Sequence, residues 1–146
     1  MDVPGAEAPA ELLFYMPASR ALCMSEIATR SLHNLYTLRG AKTRDANQWA
    51  GYINAAIDRW AGRSDVLFAS HHWPTWGQPQ LLAYLESQRD LYKYLHDQTL
   101  RLANQGLTMD EIAEQLVLPP ALASQFFNPG YYGTVSHNVK AVYNYY

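Results

Sequence analysis

The stretch DANQWAGYINAAIDRWAGRSDVLFASHHWP, Asp45 to Pro74, changes its hydrophobic period part-way along. Trp49, Tyr52, Ile53, Ala56, Ile57 and Trp60 recur at i, i+3, i+4, i+7, i+8 and i+11, which lays an apolar stripe along one helical face, and Gly62 closes the segment. DVLFAS, Asp65 to Ser70, is then a short continuous apolar run of the kind found in a buried strand, and it ends on His71 and His72. Working upstream, ELLFYMP (Glu11 to Pro17) and RALCM (Arg20 to Met24) predict two strands joined tightly at Pro17-Ala18-Ser19. Strand, helix, strand brings a histidine to a strand end, where loops converge on a crevice in α/β sheets. Glu7 and Glu26 fall just outside the ends of the strand pair.

Downstream the character becomes helical. Pro79 suits a first helical turn, Tyr84, Leu91, Leu95 and Leu102 share one stripe, and Gly106 supplies a stop. Thr108 to Glu111 reads as a capping box, with Leu107 and Ile112 placed as a hydrophobic staple. ALASQFF and GTVSHNVKAVYNYY predict two more helices. The expected fold class is α+β: short strands and one helix over residues 1–75, then an all-helical region over 76–146. NVKAVYNYY ends the sequence on an aromatic run without a helix stop signal, so the chain is expected to be cut from something longer.

With 49% hydrophobic residues, 11 Tyr and 4 Trp, the 146-residue chain has the composition of about one folded domain with an aromatic core. The 11 basic and 13 acidic residues give a formal charge of −2, too even for a nucleic-acid or anionic-membrane binder. GLTMDEIAEQLVLPPALASQFF has helix-turn-helix spacing, but no Lys or Arg lies between Arg101 and Lys140 to meet phosphate, so helical packing is the expected reading. No stretch approaches the ~20 apolar residues of a membrane span, and no signal peptide is read at the start. A single cysteine, Cys23, excludes an internal disulfide and is expected in the core.

Three constellations carry candidate chemistry. Glu7, Glu26 and His71 are oxygen and nitrogen donors that suit Zn²⁺ or a similar cation, although by spacing alone scattered Glu and His are usually surface or satisfied core groups. Arg39 precedes Gly40 and follows Leu32, Leu35 and Leu38, a spacing that predicts a packed helical turn beneath the guanidinium. Its fork then fits two oxygens of a sulfate, phosphate or carboxylate, with Asn34 as an added donor, unless Arg39 instead pairs with Asp45. His33 is either a proton-handling neighbour or a structural imidazole.

The blocks GAEAPAE, SLHNLYTLRGAKTRD, SHHWPTWG, YLESQRDLYKYLHDQTLRLANQGLTMDEIAEQL and YYGTVSHNVKAVYNYY, in that order, resemble the zinc-dependent alkyl sulfatases of the metallo-β-lactamase superfamily. That resemblance implies the end of a metallo-β-lactamase αββα domain followed by an incomplete helical alkyl-sulfatase dimerisation domain, and a homodimer through the helices. It implies hydrolysis of linear primary or secondary alkyl sulfates such as dodecyl sulfate to alcohol and sulfate. Glu7, Glu26 and His71 are then metal ligands of a two-zinc site, with His72 in place of His71 if the register slips by one. Asn34 and Arg39 are the sulfate clamp, and His33 is the catalytic proton handler. The superfamily's HxHxDH ligand motif is absent from these residues, so the chain alone is expected to be inactive. The rival expectation is a non-catalytic helical pairing module.

Overall fold

Asp45 ends an irregular segment and begins a helix because its carboxylate accepts hydrogen bonds from the Asn47 and Gln48 amides, at 2.9 and 3.0 Å. In the computed structural model, which describes residues 1–146, this helix is α1, Ala46–Trp60. It buries Ala46, Trp49, Ala50, Ile53 and Ala56; Trp49, Ile53 and Ala56 belong to the stripe expected from the period, whose Tyr52, Ile57 and Trp60 are partly buried, and a 3₁₀ turn at Ala61–Arg63 follows.

The strands are β1 (Phe14–Met16), β2 (Ala21–Cys23), β3 (Val66–Phe68) and β4 (Thr75–Trp76), ordered β1-β2-β3-β4 in one sheet. β1 and β2 form the expected antiparallel pair around a 3₁₀ turn at Pro17–Ser19. β2 and β3 run parallel, Ala21 opposite Val66, with α1 in the crossover, and β4 adds antiparallel to β3. The ladder continues past the strand ends through Met24 N–H to Phe68 O and Ser70 N–H to Ser25 O, both 2.9 Å. Those two bonds carry the chain after β2 alongside the chain after β3, which places Glu26 next to His71.

Helix α2, Gln78–Ala103, packs along α1 and buries Leu81, Tyr84, Leu85, Leu91, Tyr92 and Leu95. Gly106, at φ 91°, adopts the left-handed conformation that ends it. In α3, Met109–Gln115, both halves of the capping box form between Thr108 and Glu111. One expectation needs correction. ALASQFF is not a helix of its own: only Pro120–Ala123 (α4) is helical, because Asn128 folds back to donate to Leu122 O and Ser87 Oγ and turns the chain instead. The last helix, α5, begins at Val135 behind the Thr134 cap and runs to Tyr145.

One cluster of 28 buried residues forms the core, and it includes Leu22, Ile53, Leu81, Leu91 and Val139. The apolar packing thus runs unbroken across residues 75 and 76. Cys23 is buried in the sheet. No helix is long and apolar enough to cross a membrane.

Candidate active site

Beyond β2, Ser25 takes a positive φ of 47° and turns the chain so that Glu26 faces the β3 side. Glu26 Oε1 lies 2.8 Å from His71 Nε2 and its Oε2 lies 3.5 Å from His33 Nε2. Behind it, the Glu26 amide donates to Glu11 Oε1 at 2.8 Å, while Glu11 Oε2 is buried without a partner. Burial, reinforced by the nearby Glu7 and Glu26 charges, raises the Glu11 pKa above the usual carboxylate value. The loop bearing His71 is tied down by Arg30, whose Nε donates to buried Thr75 Oγ1 at 3.1 Å and whose guanidinium lies over Trp73 and Tyr84.

Glu7, Glu26, His33, Arg39, His71, His72 and Tyr132 line one cavity of about 580 Å³ together with Thr29 and Ser31. The sequence candidates therefore come together with one exception: Asn34 borders an adjoining cavity that shares Arg39 and Tyr132 with the first. Of the two adjacent histidines, His71 is the one whose imidazole reaches Glu26.

Arg39 is exposed and makes no hydrogen bond or ion pair within the chain. Asp45, its alternative partner, is occupied in capping α1. The packed helical turn expected beneath Arg39 is absent. Leu32 and Leu35 are buried, but Leu38 is 89% exposed and the segment is irregular. Its backbone groups bond mostly to partners outside the segment, as with the Leu35 amide and Asn138 Oδ1 at 2.9 Å, and only a single turn at Leu38 and Arg39 forms, not a helix.

The organising cation is Arg44, which spacing did not single out. It is 5% exposed. Its Nε donates to Glu7 O at 2.7 Å, its Nη2 to the Glu7 carboxylate, and its Nη1 to Asn34 O at 2.7 Å and to Asn34 Oδ1. Asn34 keeps its amide N–H₂ without a partner. Tyr132, also not foreseen, stands edge-on to the His33 ring at 4.8 Å. Arg44 lies in the same segment as Asn34 and spacing gave it no partner, since its carboxylate partner Glu7 is 37 residues away, and Tyr132 arrives from the helical region.

His33 is buried, and its Nδ1 lies 2.9 Å from Asn34 O. A carbonyl can only accept, so Nδ1 donates to Asn34 O, while Nε2 faces the Glu26 carboxylate at 3.5 Å. Burial is the first cause of a lowered His33 pKa, opposed by the Asn34 carbonyl and assisted by the Arg44 charge. In the window between the lowered folded value and the ordinary value near 6.5, the unfolded chain binds more protons, so stability rises with pH. The contribution is present in full above about pH 6.5 and is lost as pH falls through the folded value. Unfolding midpoints taken from about pH 8 to about pH 5 should therefore drop more steeply for the wild type than for His33→Gln. Parallel curves would mean that His33 is not held neutral by burial.

A divalent cation would find an adjacent carboxylate and imidazole in Glu26 and His71, a donor pair that suits zinc chemistry. Glu7 faces the same cavity but has one oxygen engaged by Arg44. No three such donors converge on one point within this chain. The residues fit one side of a metal centre.

Residues 108–146 match the family model described as alkyl sulfatase dimerisation. The chain is 56% identical over 143 residues to the alkyl/aryl-sulfatase BDS1 of Saccharomyces cerevisiae, covering 98% of this chain and 22% of that protein. It is 52% identical to a linear primary-alkylsulfatase of a Pseudomonas species, covering 98% and 21%. It is 43% identical to an (R)-specific secondary-alkylsulfatase of Pseudomonas, covering 97% and 22%. The solved structure of the stereoselective inverting sec-alkylsulfatase Pisa1 from Pseudomonas superposes with a TM-score of 0.98 at 41% identity, over 100% of this chain and 23% of that one. The chain thus spans roughly a fifth of the length of the curated relatives it matches.

Proposed function

We propose that this stretch of alkylsulfatase-like sequence forms one wall of the active site of an enzyme that hydrolyses alkyl sulfate esters, such as dodecyl sulfate, to alcohol and sulfate. In this reading residues 1–75 close a metallo-β-lactamase-like domain, residues 76–146 belong to a helical dimerisation domain, and two copies pair through the helices. The carrying observation is Arg39: an unpaired guanidinium on the rim of the cavity that also holds Glu7, Glu26, His33 and His71.

The chemistry follows from the groups present. The planar Arg39 fork engages two sulfate oxygens, and the free Asn34 amide donates to the same anion from the adjoining cavity. Arg44 holds Asn34 by its carbonyl and side-chain oxygens, so the amide N–H₂ is the end left to point outward. His33, fixed at Nδ1 by Asn34 O, offers Nε2 to take up a proton and return it to the leaving oxygen. Zn²⁺, two ions in the whole enzyme, supplies Lewis acidity and water activation near neutral pH. Glu26 and His71 would hold it from this chain, with Glu7 across the cavity and further donors from outside these residues.

The test uses the full-length enzyme that contains this segment. A lysine keeps the charge but not the two-donor plane, and charge-assisted hydrogen bonds contribute about 1.5–3 kcal/mol each. Arg39→Lys should lower kcat/KM for dodecyl sulfate by roughly 10- to 100-fold, and Arg39→Ala by more, with zinc content unchanged in both. Glu26→Ala and His71→Ala should lose metal first. Full activity in Arg39→Lys, or loss of zinc in Arg39→Ala, would remove the clamp assignment.

A further inference from the structure

We propose that Asn138, on a helix within the region that matches the dimerisation family, is a positioning residue for the anion-binding segment of the site. The proposal rests on the sulfate-clamp reading of Asn34 and Arg39. Residues 32–36 form no helix or strand, yet all their carbonyls and the amides of His33 and Leu35 are hydrogen-bonded, and most of the partners come from the helical region. Gly133 N–H donates to Leu32 O at 2.7 Å, the His33 amide donates to Tyr92 OH at 3.1 Å, and His137 Nε2 lies 2.9 Å from Tyr36 O.

Asn138 takes the central position. It is 0% exposed. Its Nδ2 donates to His33 O at 2.9 Å and its Oδ1 accepts from the Leu35 amide at 2.9 Å. The two backbone partners fix the orientation of the side-chain amide, because a carbonyl requires a donor and an N–H requires an acceptor. They also flank Asn34 on both sides. Arg44 grips Asn34 itself, while Asn138 grips the residues before and after it, so the peptide that aims the Asn34 side chain cannot rotate. Aspartate lacks the donor and leucine lacks both groups.

Gly133 brings this helix close enough for the contact. A Cβ there would stand 2.8 Å from Asn34 N and His33 C, so the approach of the two backbones requires glycine. Thr134 Oγ1 then accepts from the His137 amide at 3.1 Å and starts α5 with Asn138 on its inner face. A region named for pairing subunits thereby also shapes the site.

The experiment is a double-mutant cycle in the full-length enzyme, with dodecyl sulfate as substrate and inorganic sulfate as competing ligand. Misplacing a binding group by about 1 Å can cost about 100-fold. Asn138→Leu should therefore lower kcat/KM by about 10- to 100-fold, chiefly by raising KM and weakening sulfate inhibition in parallel. Asn138→Asp, which conserves volume and keeps the acceptor for Leu35, should show a smaller loss of the same kind, and it is the variant read if the leucine variant fails to fold. In an Asn34→Ala background the same substitution should cost little further, because it acts through Asn34. Additive penalties, or unchanged KM and sulfate inhibition in folded Asn138→Asp, would overturn the positioning role alone. Full activity in Asn34→Ala would overturn the clamp reading beneath it.

Discussion

Replacing Trp49 by alanine is expected to destabilise the fold by about 3–5 kcal/mol, the range for removing a large aromatic from a packed core. Trp49 is fully buried on α1, stacks on Tyr92 with ring centroids 4.9 Å apart, and donates from Nε1 to Ile27 O at 2.8 Å. Alanine removes the volume that keeps α1 and α2 apart and leaves the Ile27 carbonyl without its donor. Trp49→Phe separates the two contributions, since it keeps most of the ring area but not the donor, and should cost about 1–3 kcal/mol. Denaturant unfolding with an unchanged m-value measures both. The site should weaken as well, because the His33 ring lies 5.4 Å from Trp49 and the His33 amide donates to Tyr92 OH. A loss below about 1 kcal/mol in Trp49→Ala would show that this part of the core can collapse around the gap.

Arg44→Met is expected to cost about 3–5 kcal/mol, for a different reason. Methionine fills much of the arginine stem's volume, so the loss is electrostatic and not a cavity. It strands the Glu7 carboxylate, 20% exposed, without its counter-charge, and it leaves Glu7 O and Asn34 O each short of a donor. Removing one partner of a buried pair is far more costly than the net stabilisation the pair supplies. Glu7→Gln in the Arg44→Met background should therefore recover part of the loss, and a double-mutant cycle by chemical denaturation reads the coupling. Arg44→Lys should restore only part of the stability, because one ammonium cannot bridge Glu7 and Asn34 in the fixed plane of a guanidinium. Equal stability for Arg44→Met and wild type would mean that water already solvates Glu7.

The local devices of this chain are legible in its sequence. The stripe from Trp49 to Trp60 gives α1, Asp45 caps it, and Thr108 with Glu111 closes the box on α3. Each of these acts within one or two helical turns, so a residue's neighbours along the chain are also its partners in space. The apolar run at Val66–Phe68 likewise gave the strand that delivers His71, and the parallel pairing with β2 turned two separate candidates, Glu26 and His71, into a contact at 2.8 Å.

Asn34, His33 and Arg39 stood out as residue types, but the packed turn expected beneath Arg39 is not there. A three-residue leucine spacing suggested a helical turn, whereas residues 32–36 are irregular and Leu38 points into solvent. Nothing within that segment specifies its shape. Arg44 reaches back 37 residues to Glu7, and Asn138 reaches back 103 residues to the Leu35 amide. Sequence by itself determined the helices other than the short α4 and most of the strands, because periodicity and capping are short-range. Only the tertiary structure decided the conformation of the anion-binding segment, because irregular backbone that is buried must find its hydrogen bonds wherever the fold supplies them.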